Sequence, residues 1–516
     1  MLLPLLPAML AVLSVGAWYA VRRSGQATWA RRSYLGANAA VLIVALLLPS
    51  AEATLVPGGM SAARLELAWD GASRLGAAVL LLATLAHQVT PREDRRMAPE
   101  ALLVTVSLAC LAAVNAQALA LSAGLLCIAI VWVEGALPAG SRSPFAVFGL
   151  VSMLAALTLL GLIAAGSLRL AQGLTTPRWV VGAAVFGVGF GGLLLGYPAL
   201  RWPTMAACTV TAAHLLQRLP GPVTSSPATL TLSLVVGGLA VLIGGLSTAL
   251  WGPRGRALDA LYGLTFGVAW LAAVLEGDPG HGSAVVALVG AVLAYSALVA
   301  LERSEGVGWY RLPSIIAVGA LAGLLPGGLL VARWRVLAAS LSFGDGWLVF
   351  WQVVAGLLAC WVTALIALPW VSTRDVSMPP RDWVAWGLGA MLALLSLALG
   401  VAPFVVLPCL GWFGGEMQGA VLWGLSLALL PALLGLGLAF WPAAARAQAR
   451  TSRWRERVRP VWQGSWEGAV LWLDTAQQQI AERLYGLAQV VEERLLMAWG
   501  LLCALALLLV ALEAGL

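Results

Sequence analysis

Residues 282–301 read GSAVVALVGAVLAYSALVAL, twenty positions without one charge. A bilayer core takes roughly 20 apolar residues per spanning helix, and this stretch is a span by length and composition. Similar runs recur on both sides of it to the ends of the chain. Of 516 residues, 61% are apolar and 10% charged. Soluble domains carry about 25% charged residues, so a water-facing surface cannot be built from this composition. Backbone groups in lipid must be paired within the protein, which leaves helices or a closed barrel. Continuous apolar runs, in place of alternating ten-residue segments, select helices. The 57 glycines and 26 prolines agree, since both are commoner in spanning helices than in soluble ones.

The expected fold is all-α: a polytopic transmembrane helix bundle of about 14–16 spans with a C-terminal amphipathic surface helix. Sixteen apolar runs lie near 1–20, 36–56, 70–90, 100–116, 117–137, 145–170, 179–199, 203–218, 228–250, 257–275, 282–301, 313–337, 347–371, 383–408, 418–441 and 497–513. Three units follow. Residues 1–444 form the bundle, 445–497 a surface segment, and 498–516 a final span. In the surface segment, Leu471, Leu473, Ile480, Leu484, Leu487 and Val491 recur at helical spacing among charges, the pattern of a helix lying in the membrane interface.

All 30 basic residues are arginine. Sorted by alternate loops, 23 fall on one side, among them Arg22, Arg92, Arg254, Arg311 and the eight between 446 and 494; seven fall on the other. The positive-inside rule makes the first side cytoplasmic and places both termini on the opposite face. The net charge of +7 is thus a topology signal and does not indicate nucleic acid. The N-terminal apolar run lacks a basic leading region, which favours a span over a signal peptide. The six cysteines stand singly, and three histidines (His87, His214, His281) form no cluster with them. No metal site and no cofactor is expected. Phosphate-binding, dinucleotide and hydrolase motifs are also missing from the sequence.

Charged groups inside spans are expensive and mark function by default. Four qualify as ion-path candidates. Glu134 ends the fifth run in IVWVEGALP, where an interfacial end charge is the ordinary reading. His214 lies in CTVTAAHLLQR and is equally readable as a hydrogen-bonded core histidine. Asp259 in RGRALDALYG reads otherwise as a helix-end charge near Arg256. Arg333, with Arg335, closes a run in LLVARWRV, where snorkelling to the interface is the alternative. Asp70 opens the third run and reads as a helix cap.

Four stretches together resemble a known family. WDGASRLGAAVLLLATL (69–85), RWPTMAACTVTAAHLLQRL (201–219), VLIGGLSTALWGPRGRALDALYGLTFGVAWLAAVLEG (241–277) and IIAVGALAGLLPGGLLVARWRVL (315–337) resemble, in order and spacing, helices of the antiporter-type membrane subunits. Respiratory complex I, Mrp cation/proton antiporters and membrane-bound hydrogenases share these subunits. The resemblance covers about 65–370. It implies a membrane subunit of a proton- or cation-translocating complex, NADH dehydrogenase-like or Mrp antiporter-like. Its partners would be other membrane subunits and the bilayer, its ions protons or monovalent cations, its location a bacterial inner or thylakoid-type membrane. At most it would be a non-catalytic subunit of a redox-driven translocase. The family relays protons along a midplane Glu and several Lys. Here the Glu position is Leu126, the next lysines fall at Leu193, Val210 and Ala257, and only Arg333 keeps a cation. The loop before the second motif is reduced to YPALRWP. A chain of apolar residues relays nothing, and arginine does not release its proton, so the resemblance implies a degenerate path. Two other readings stay open: an independent transporter of a cation or inorganic carbon, and a purely structural or assembly subunit.

Overall fold

The structure, a computed structural model, describes residues 3–23, 27–55, 65–89, 97–114, 202–218, 254–273, 278–302, 308–343, 346–363 and 379–401. It adds isolated positions within 118–129 and 234–242, at 275 and within 428–434. Glu134, Leu193 and the 445–516 region lie outside the described residues.

The described chain is a helical bundle. Its helices are α1 (Leu6–Arg23), α2 (Ala27–Leu47), α3 (Gly71–Gln88), α4 (Met97–Ala112), α5 (Trp202–Arg218), α6 (Arg254–Ala273), α7 (Asp278–Glu302), α8 (Leu312–Leu321), α9 (Gly328–Phe343), α10 (Gly346–Val362) and α11 (Trp383–Val401). α7, the run quoted first, is the hub. It packs against α3, α5, α6, α8, α9 and α11. A helix apolar on all sides is one that is surrounded: in the most apolar 18 residues of Gly282–Glu302, 89% are buried inside the chain, against 33% in those of the somewhat less apolar Trp383–Val401. α11 turns Val384, Met391, Leu394 and Val401 outward, the side left to lipid or to another subunit. These two are the described helices long and apolar enough to cross a bilayer; shorter apolar helices accompany them.

Two expectations are corrected. The run 36–56 is not one span. α2 begins at Ala27, taking in Arg31 and Arg32, and ends at Leu47. Pro49 follows, and a proline disfavours helix for the residue before it. Ala51–Leu55 and Leu65–Trp69 then pair as antiparallel strands β1 and β2, with Ala51 opposite Trp69. Glu52 and Thr54 face out while Ala53 is buried, the period-2 pattern of a half-buried strand. Hydrophobicity averaged over the run conceals that alternation. From β2 the chain enters α3 at Asp70, whose carboxylate accepts from the Ser73 N–H at 3.0 Å, so Asp70 is the cap its position suggested. Ser73 Oγ also donates to the Leu111 carbonyl at 2.7 Å, fastening α3 to α4.

The run 313–337 is not one continuous helix either. α8 stops at Leu321, and Gly323 adopts φ +68°, the left-handed conformation that only glycine takes without penalty. The Leu324 N–H bonds back to the Gly319 carbonyl at 2.8 Å, closing the helix end. Pro326 disfavours helix at Leu325 before it, and α9 begins at Gly328. The broken backbone is buried against glycines. A Cβ on Gly400 of α11 would lie 2.1 Å from the Pro326 carbonyl oxygen, and one on Gly328 would lie 2.4 Å from that of Val286 in α7.

Candidate functional site

His214 projects from α5 into the packed layer between α3, α5 and α7. It is 2% exposed, and its Nε2 lies 3.2 Å from the Ala113 carbonyl oxygen at the end of α4. A small cavity opens beside it, about 10 Å³, lined by Gly76, Val79, Thr209, Val210 and Val289 among others. That is roughly the space one water needs. Thr209 is occupied: its hydroxyl donates to the Met205 carbonyl at 2.8 Å and accepts from the Tyr262 hydroxyl of α6. Tyr262 in turn belongs to an aromatic cluster. Trp202 stacks on Tyr295 with centroids 4.5 Å apart and meets Tyr262 edge-on at 5.7 Å.

Val210, where the resemblance puts a relay lysine, is 4% exposed, and Leu126, where it puts the glutamate, is 0% exposed. Both belong to the continuous apolar core. Asp259 lies in the second turn of α6, its side chain outside the described residues, as is that of Ala257. Among the described residues no group of three or more His, Cys, Asp or Glu could hold a metal ion.

Arg333 does not snorkel. It sits six positions into α9, next to the helix break, and is 1% exposed. Its guanidinium crosses to α10, where Nη2 donates to the Gln352 carbonyl at 3.3 Å. The crossing is feasible because Gly356 stands one turn further on: a Cβ there would lie 1.8 Å from Nη2. A carboxylate partner for Arg333 is missing among the described residues. His214 and Arg333 are not brought together, since one lies between α3, α5 and α7 and the other between α9 and α10.

A further buried polar group was not singled out in the sequence. At the ends of α3 and α4, His87 Nε2 approaches Glu100 Oε1 at 3.4 Å, and Asn38 of α2 donates to Gln88 Oε1 at 2.9 Å. Tyr34, one turn before Asn38 on α2, is buried as well. The group's sequence signal is the HQ pair closing an apolar run, with a glutamate in the first turn of the next. A span-by-span search reads such residues as end charges and does not pair them across helices.

No family model and no curated protein matches the chain. Solved structures do. A chain of the Mrp complex from Dietzia sp. DQ12-45-1b superposes with a TM-score of 0.68 over 95% of this chain, at 16% identity. This chain spans 62% of that chain's length. A chain of the membrane-bound sulfane sulfur reductase, an archaeal respiratory membrane complex, gives 0.63 over 85% of this chain and 99% of its own, at 14% identity. One from respiratory complex I of Thermus thermophilus gives 0.58 over 78% and 99%, at 19% identity. The fold of this chain is therefore that of these chains of membrane complexes, a bundle of helices, in agreement with the resemblance of its motifs.

Proposed function

We propose that the chain is a membrane subunit of a multisubunit complex of the Mrp and complex I kind, and that its own proton path is closed. The supporting observation is the packing around Val210. A relay needs titratable groups close enough that a charge on one shifts the next. Here Val210 and Leu126 are buried in apolar core, and the cavity beside His214 has room for about one water, which is not a wire. In this reading the chain serves as scaffold and interface. The Arg-rich 445–497 segment lies along the cytoplasmic surface, and both termini lie on the other side. Reporter fusions at the two termini check that arrangement; a cytoplasmic N-terminus would overturn the span map.

Extraction in a mild detergent and native electrophoresis should show the chain in a large assembly with other membrane subunits. In that assembly the combined Glu134→Gln and His214→Leu substitutions should leave proton flux within about twofold of the parent, a barrier change of no more than ~0.4 kcal/mol. Loss of flux with the assembly intact would show that the chain conducts. A stable monomer that moves cations in liposomes would instead establish an independent transporter.

A further inference from the structure

The two sides of α11 differ in kind. Ala385, Gly389, Ala393 and Ser396 point inward and are buried. Ser396 Oγ donates to the Gly290 carbonyl of α7 at 3.3 Å. A Cβ on Gly389 would lie 2.6 Å from Leu301 Cγ. The outer stripe is Val384, Gly387, Met391, Leu394 and Val401, exposed from end to end. None of its side chains carries an N–H or O–H. Gly387 is its one small residue, and a Cβ there would meet nothing within 4 Å. From Trp383 to Val401 the helix has 19 residues, about 28 Å at 1.5 Å each, close to the roughly 30 Å of a hydrocarbon core.

Aromatic rings gather at one end of that stripe. Tyr310, in the 3₁₀ turn Gly308–Arg311 before α8, meets Trp383 and Trp386 edge-on, with centroids 5.7 and 6.0 Å away. The Trp386 Nε1–H donates to the Tyr310 carbonyl at 2.8 Å. Trp309 and Trp383 are exposed at this end. Just before Trp383 stand Arg381, also exposed, and Asp382, which caps α11 by accepting from the Val384 and Ala385 N–H groups, both at 3.0 Å. Tryptophan and tyrosine between charged residues and an apolar stretch make the pattern of a bilayer interface.

We propose that bilayer lipid, and not a neighbouring subunit, covers the outer face of α11, with the group Trp309, Tyr310, Trp383 and Trp386 at headgroup depth. Spanning helices associate through small residues that let backbones approach and through polar side chains that hydrogen-bond across the contact. α11 turns both kinds toward its own chain, onto α7 and the break between α8 and α9. The valine, methionine and leucine side chains left outside gain little from a protein partner, since acyl chains are as apolar as they are. The inference rests on the proposed function in one respect: it gives the subunit a flank without neighbours and restricts docking to its other sides.

The photoreactive residue p-benzoylphenylalanine, placed at Met391 or Leu394 of the full chain and irradiated in intact membranes, reads the cover directly. The expected product is the chain at unchanged electrophoretic mobility, carrying phospholipid adducts by mass spectrometry. Adducts to another subunit, to a second copy or to a distant segment of this chain overturn the proposal. A water-soluble maleimide, applied to membranes opened to both sides, reads the depth. With the parent chain's own modification subtracted, Trp309→Cys should be modified while Leu394→Cys stays unmodified. Equal modification of the two would put the α11 face in water, and a Trp309→Cys that stays shielded would take the aromatic group away from the surface; either result overturns the proposal. Native electrophoresis of the same membranes reports assembly separately. A chain found alone fails the complex-subunit reading, while the photoadducts still decide what covers α11.

Discussion

Gly400→Ala will remove most of the folded chain from detergent extracts, while Gly387→Ala, three and a half turns earlier on the same helix, will leave it intact. Both positions lie in α11. A Cβ at 400 would stand 2.1 Å from the Pro326 carbonyl oxygen, 2.3 Å from its carbon and 2.6 Å from the Gly327 Cα. These atoms are backbone, and no rotamer change relieves them. Either α11 or the break between α8 and α9 must move. The break is held in turn from the other side, where Gly328 touches α7 at the Val286 oxygen and at Gly290. Overpacking of this kind costs on the order of 3 kcal/mol or more. At Gly387 a Cβ meets nothing within 4 Å, and alanine is the better helix former by about 0.5–1 kcal/mol. Yield of monodisperse protein and melting temperature give the comparison. Equal behaviour of the two variants would mean that α11 does not seat on the broken helix.

Trp202→Ala should produce the second large loss. The indole is 6% exposed and forms, with Tyr262 and Tyr295, a closed set of rings joining α5, α6 and α7. The third pair, Tyr262 with Tyr295, is 5.4 Å apart. In lipid, helices are held chiefly by van der Waals packing, so an emptied aromatic site is not offset by a hydrophobic effect elsewhere. Removing a buried tryptophan costs about 3–5 kcal/mol. Trp202→Phe should recover a large part of it. Trp309→Ala, at a position 83% exposed, should change stability by less than about 0.5 kcal/mol. Thermal melts of the three variants in one detergent would separate them; a Trp202→Ala chain as stable as Trp309→Ala would show that the ring cluster carries no packing energy.

Much of the bundle is legible in residue order. Runs such as 203–218, 257–275 and 282–301 become helices near their expected bounds, because length and continuous apolarity suffice where lipid forbids unpaired backbone. The cap at Asp70 is legible for a similar reason, since it is a contact between residues three apart. The four motifs carry the fold itself, as the superposition on complex-I- and Mrp-type chains bears out.

Contacts between distant residues are a different matter. Sequence hydropathy gives α7 and α11 nearly the same value, yet one is enclosed on all sides and the other presents a face outward; only the arrangement of six neighbours distinguishes them. The LAGLLPGG stretch reads as apolar, and its break becomes a structural feature only because Gly290 and Gly400 accept its backbone. Arg333 reads as an end charge from its neighbours along the chain. Its burial is decided nineteen to twenty-three residues later, by a glutamine carbonyl and the missing side chain of Gly356. The sequence by itself determined a helical bundle with apolar residues at Leu126 and Val210, since both depend on what each segment contains. Which helix is central was decided by tertiary structure because it depends on how six neighbours are arranged; where the broken backbone rests and how Arg333 is held were decided there too, because each depends on the absence of a side chain on another helix.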